Sequence, residues 1–112
     1  MSSEKKKVRA KFRSDVFERA NYKCQGPDCN FESNKENAEI DLEAHHLTNR
    51  EVLPFGGYCW QNGISMCSAC HIKAEQFYSA GTAYPKFSPE ELYKVIGSSY
   101  DEAYKASLKL KG

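Results

Sequence analysis

A chain of 112 residues, 40% of them apolar, is long enough for one domain with a modest core and too apolar for a disordered polymer. No apolar run approaches the length of a membrane helix, and the opening MSSEKKKVRAKF lacks the apolar centre of a signal peptide, so a cytoplasmic location is expected. The net charge of +1 conceals an asymmetry: residues 1–23 hold eight Lys or Arg against three acids, whereas residues 24–70 hold two against seven.

Residues 1–11 read as a flexible basic arm, suited either to a phosphate backbone or to keeping the chain in solution. A helix is expected to start near Ser14, an N-cap residue, with Asp15 in its first turn and Val16, Phe17 and Ala20 on one face, and to end near Asn21. CQGPDC follows, and its Gly26-Pro27-Asp28 centre predicts a tight turn between two sulfur side chains. Residues 30–39 form a polar loop. AEIDLEAHHL then alternates apolar and polar residues at Ile40, Leu42 and Ala44, the pattern of a strand running into the His45-His46 doublet. NREVLPFGGYCWQNG is rich in turn residues, and ISMCSACHIKAEQFYSAG predicts a short strand, a cysteine knuckle and a helix stopped at Gly81.

Two further helix starts close the chain. SPEEL offers Ser88 as N-cap, Pro89 at the first helical position and Glu91 to complete a capping box, and SYDEAYKASLKL repeats the device with Ser99 and Glu102 beyond Gly97. Leu92, Tyr93, Ile96, Tyr100, Tyr104 and Leu108 have helical spacing and are expected to pack on the domain or to form a dimer surface.

Chemistry enters with the cysteines. Cys24 and Cys29 form one pair and Cys67 and Cys70 a second, a pattern that predicts a closed tetrahedral zinc site tying the first helix to the second half of the chain. Inert thiols or a disulfide are the alternatives. Cys59 is left over, a buried thiol or a substitute for one of the four. His71 directly follows Cys70, and Glu75 lies one helical turn further on, a spacing that suits chelation. Adding His45 makes a set of two imidazoles and a carboxylate. Neighbours on a strand point to opposite sides, so His45 and His46 are expected to divide labour rather than to share an ion.

The order AHH … N … CxxCH … E, framed by the two cysteine pairs, resembles the HNH endonucleases of phage and bacterial type. The resemblance covers about residues 12–79. It implies a small α+β fold with a ββα-metal (His-Me finger) core and zinc knuckles, flanked by an N-terminal helix and C-terminal helices. The implied division is an arm at 1–11, a nuclease domain at 12–81 and a helical extension at 82–112 packed on the same domain. It implies that His45 and His71 bind one catalytic divalent cation, that His46 is the general base, and that Asn62 is the middle Asn that steadies the hairpin and steers that base. The last helical ligand, often a His in the family, is Glu75 here, and a carboxylate shifts the expected ion toward Mg²⁺ or Mn²⁺ and away from Zn²⁺ or Ni²⁺.

The implied activity is hydrolysis of DNA phosphodiester bonds, with Arg50 and Lys73 as candidate phosphate contacts, in the host cytoplasm if a phage encodes the chain. Two other readings stay open: a zinc-stapled nucleic-acid-binding module without catalysis, for which Glu75 in place of His is the best argument, and a phage packaging accessory. A homodimer or a packaging protein is the corresponding partner.

Overall fold

Residues 2–19 contain neither Gly nor Pro, and half of them are the helix formers Lys, Arg and Glu, so nothing in the chain stops a helix there. In the computed structural model, which describes residues 2–110, helix α1 accordingly spans Ser2–Arg19. This corrects two expectations: the helix does not begin near Ser14, and residues 2–11 are not a flexible arm but its first turns (Met1 lies outside the described residues). Phe12, Val16 and Phe17 bury the far half of α1, and once that half is anchored each preceding residue adds one helical hydrogen bond at little cost. The helix ends where Asn21 and Tyr22 turn left-handed (φ 58° and 61°) and the Tyr22 N–H returns to the Phe17 carbonyl.

Two strands follow, β1 (Glu43–His46) and β2 (Gly63–Met66), paired antiparallel with His45 opposite Ile64 and His46 opposite Gly63. The strand expected over AEIDLEAHHL is therefore shorter. Ala38–Asp41 is a single helical turn, α2, in which Ala38 and Leu42 are buried one turn apart while Ile40 points into solvent, 83% exposed. Alternation and helical spacing coincide over so short a stretch, and the Asn37 carbonyl decides for the helix by accepting from both Ile40 and Asp41.

Helix α3 (Ser68–Ala80) follows β2 and stops at Gly81, whose φ of 79° makes the left-handed cap that the sequence predicts. Helix α4 (Pro89–Val95) carries the complete Ser88–Glu91 capping box, and α5 (Tyr100–Leu108) is capped by the Ser99 hydroxyl accepting from the Glu102 N–H. Leu92, Tyr93 and Ile96 are buried, as their spacing predicts, but α5 turns Ala103 and Ser107 inward and leaves Tyr100, Tyr104 and Leu108 exposed. Small residues face inward because α5 lies close against the 54–62 segment, where bulky side chains would not fit.

The result is a small α+β domain, a two-stranded antiparallel sheet with five α-helices among the described residues, and its radius of gyration of 13.3 Å matches the ~13 Å expected of a folded chain of this length. Val16, Leu47, Ile64 and Met66 lie at its centre, each contributing about 1.5–3 kcal/mol by burial. Among the described residues no helix is long and apolar enough to cross a membrane. Gly63 sets the approach of α1 to the sheet: a Cβ there would lie 2.5 Å from Val16 and 2.7 Å from the Phe12 ring. Any other residue would push α1 off β2, and with it the Phe12 ring that packs on His46.

Candidate metal and catalytic sites

The Cys24, Cys29, Cys67 and Cys70 sulfurs all lie within 4.8 Å of one another. Cys29 and Cys67 are 3.9 Å apart, close to the ~3.8 Å edge of a tetrahedron with 2.3 Å metal–sulfur bonds. The predicted turn provides the first pair. The Cys29 N–H closes onto the Gly26 carbonyl, Pro27 takes the first central position, and Asp28 sits at φ 62°, a turn of the type II kind. Gly26 admits the second pair, since a Cβ on it would stand 2.4 Å from the Cys70 sulfur. Cys24 accepts N–H bonds from Gly26 and Cys67 at 3.4 and 3.2 Å, the support a thiolate ligand receives from its surroundings.

Burial, followed by the neighbouring thiols, pushes the Cys70 thiol far above its ordinary range, and burial raises Cys24 as well. Four thiolates would not share this volume without a cation among them. The cluster therefore fits a structural metal ion such as zinc. Cys59 takes no part in it; its buried sulfur faces the Ala103 carbonyl and the Ser107 hydroxyl, both at 3.7 Å.

The second cluster lies on the other side of α3. His45, His71 and Glu75 each bring one ligand atom within 4.8 Å of the others, and the two imidazole centroids are 5.1 Å apart. A pocket of about 420 Å³ opens onto these side chains and is also lined by His46, Asn49, Arg50, Glu51 and Tyr78. His45 is held in β1. His71 and Glu75 rise from successive turns of α3 with Nε2 and Oε1 3.4 Å apart.

Glu43, absent from the residues singled out in the sequence, lies 2.9 Å from His71 Nδ1. That contact orients the ring and leaves Nε2 toward Glu75, the arrangement in which a carboxylate stiffens a metal-binding histidine. Its place was readable in principle, because Glu43 and His45 are two apart on a strand and share a face. Burial, then the His71 and His46 imidazoles, pull His45 down to about 3, so at neutral pH its ring offers a lone pair rather than a charge. The donor set of two nitrogens and a carboxylate, open on its pocket side, fits a divalent cation that keeps exchangeable positions.

His46 points away from this set, as strand geometry requires, yet still borders the same pocket. Its ring stacks on Phe12 at 4.5 Å and meets the edge of Tyr58 at 4.9 Å. Burial, with the Arg50 charge added, lowers it to about 4 and keeps it neutral. Its Nε2 is buried without a hydrogen-bond partner among the described residues. A buried polar atom left unpaired costs about 1–3 kcal/mol, which packing alone gives no reason to bear.

Asn62 is fully buried and does not reach the pocket. Its Oδ1 accepts from the Thr48 N–H and the Tyr93 hydroxyl, both at 2.8 Å, and its Nδ2 donates to the carbonyls of Thr48 (3.1 Å) and Gly57 (3.2 Å). Asn62 thus ties the two ends of the long β1–β2 connection, and none of these bonds goes to His46. Tyr93 on α4 and Tyr78 on α3, whose hydroxyl donates to the Leu47 carbonyl, fasten the same segment; neither role carries a motif in the sequence.

Arg50 lies at the pocket rim, donating to the Tyr58 hydroxyl at 2.8 Å. Lys73 does not join it. The Lys73 ammonium sits over the Tyr84 ring at 5.0 Å and lines a different cleft, beside the cysteines. The two candidate phosphate contacts thus lie apart, Arg50 on the histidine pocket and Lys73 on the cysteine side of α3.

Set against protein-family models, curated proteins and solved structures, the chain finds no match.

Proposed function

We propose that the chain is a metal-dependent endonuclease of the HNH type, in which β1, β2 and α3 form the ββα-metal core, and that it hydrolyses DNA phosphodiester bonds. One observation carries this reading: His45, His71 and Glu75 converge within 4.8 Å, and the unpaired imidazole of His46 borders the same pocket. The charge of the pocket supports it. Glu51 and Glu75 line it and Glu43 stands behind His71, with Arg50 as the basic residue at the rim. A phosphodiester would be repelled by such a lining unless a cation offset it.

The residues present fit a single divalent cation, held by His45, His71 and Glu75 and steadied through Glu43. Such an ion would supply Lewis-acid stabilisation of the negative charge that develops at the phosphoryl group. His46 accepts a proton from the attacking water. The water oxygen then bonds to phosphorus, the bond to the 3′ oxygen breaks, and that oxygen takes a proton from solvent. Burial between Phe12 and Tyr58 keeps His46 uncharged and fixes its ring plane, so little reorientation precedes proton transfer. Asn62 holds the loop ends from which His46 is presented.

Plasmid nicking in Mg²⁺ or Mn²⁺ tests the reading. The wild type is expected to nick, and His46→Ala to lose about 10²–10⁴-fold in rate while keeping its fold and its zinc. Equal rates would remove His46 as the base. Binding of DNA without cleavage in any divalent ion would favour a zinc-stapled binding module.

A further inference from the structure

The helical start of the chain places its basic residues where they act on the site. Lys5, Arg9, Phe12 and Val16 follow one another at helical spacing along a single stripe of α1. The buried end of that stripe is fixed: Phe12 stacks on His46, and Val16 is in the core. The exposed end continues outward from the same pocket. Arg9 lies over the Tyr58 ring at 5.9 Å, and Arg50 donates to the Tyr58 hydroxyl at 2.8 Å. Two guanidiniums thus meet one phenol whose ring touches His46. Among the described residues neither arginine, nor Lys5, Lys6 or Lys7, is in an ion pair.

Stability does not explain this placement. The amino-terminal end of a helix carries the positive pole of its dipole, and cations gathered there repel both the pole and one another. An anion lying along the stripe would relieve both. From Lys5 to Arg9 the stripe advances about 6 Å, which a sugar–phosphate chain, with about 3.4 Å per nucleotide along a duplex axis, spans in two nucleotides.

We infer that Lys5 and Arg9 of α1, with Tyr58 and Arg50, form a phosphate rail that leads a nucleic-acid strand to His46. The ligand class rests on the nuclease reading; the rail itself is a separate property, binding rather than cleavage. Arg50 and Arg9 grip the phosphate next to the reacting one, Tyr58 sets the distance between them, and Lys5 takes the next phosphate outward.

The test is anisotropy titration of the full chain with a short fluorescein-labelled DNA duplex and each of its single strands, without added divalent ion, over a series of KCl concentrations. Arg9→Gln and Arg50→Gln are each expected to weaken binding several-fold and to lower the slope of log K against log salt by about 1. Lys86→Gln, on the cysteine side, is expected to change neither by more than the error. Val8→Pro keeps every charge but frees residues 2–7 from the helix, and is expected to weaken binding as well. An unchanged slope in both arginine variants overturns the rail, as does an equal loss in Lys86→Gln, unaltered binding by Val8→Pro, or a wild type that does not bind at low salt. Binding that depends on Arg9 and Arg50 without cleavage keeps the rail and removes the nuclease. Cleavage indifferent to both arginines does the reverse.

Discussion

Cys70 and His71 are adjacent in the chain, yet they belong to two clusters of opposite character. Successive residues of a helix diverge by about 100°, so α3 sends Cys70, beside its N-cap Cys67, toward the Cys24–Cys29 turn and sends His71 and Glu75 toward β1. The cysteine cluster is made only of sulfur, with four donors to complete a tetrahedron, and is braced by backbone N–H groups, so an ion there has no position left for substrate. The histidine cluster mixes nitrogen and oxygen donors, opens onto a pocket of about 420 Å³ and has a spare imidazole at its edge. Closure suits a fold-holding ion and openness suits a reacting one. One helix connects them, so the staple on one side fixes the reach of the ligands on the other.

The largest effect that could break this contrast lies on the closed side. Structural zinc contributes about 10–16 kcal/mol of apparent binding free energy, comparable with the whole stability of a small domain. Cys67→Ser should therefore lose its zinc and be largely unfolded at 37 °C, as read by metal stoichiometry and thermal melting. A variant that keeps one zinc and its melting temperature would refute the four-cysteine site.

A smaller loss is expected at the bridge between the regions. Asn62→Ala removes four hydrogen bonds from a fully buried amide, costing about 3 kcal/mol and lowering the melting temperature by about 10–20 °C. A fall of under a few degrees would mean that the loop is held by something else. The smallest effect sharpens the contrast from the open side: Glu43→Gln should weaken Mn²⁺ binding about 10–100-fold by calorimetry while zinc content and stability stay as they were. Zinc lost along with Mn²⁺ affinity would show that the clusters are not independent.

Much of this arrangement was legible beforehand, and the parts that were not have physical reasons. The caps at Ser88 and Ser99, the stop at Gly81 and the turn at Gly26–Cys29 rest on side chains bonding to nearby backbone, so short windows of sequence suffice to read them. The reach of α1 is not legible there, because a run of Lys and Arg reads equally as solvated coil or as solvated helix; anchorage of Phe12 and Val16 on the sheet, a tertiary contact, decides between them. Which side of α3 Lys73 takes is not legible either, because spacing along a helix does not say which neighbours will cover each face; packing sets it over the Tyr84 ring.

Residue types and intervals alone determined which donors exist and in what pairs: two thiol pairs, a histidine doublet, and a His and a carboxylate one helical turn apart. Those intervals are local, and helix and strand periodicity converts them directly into shared or opposed faces. Tertiary packing decided which faces meet, bringing Glu43 onto His71, Phe12 onto His46 and Arg9 onto Tyr58. Such contacts join residues up to 49 apart, as with Arg9 and Tyr58, and no spacing in the chain announces them; the burial of apolar side chains draws α1 onto the hairpin.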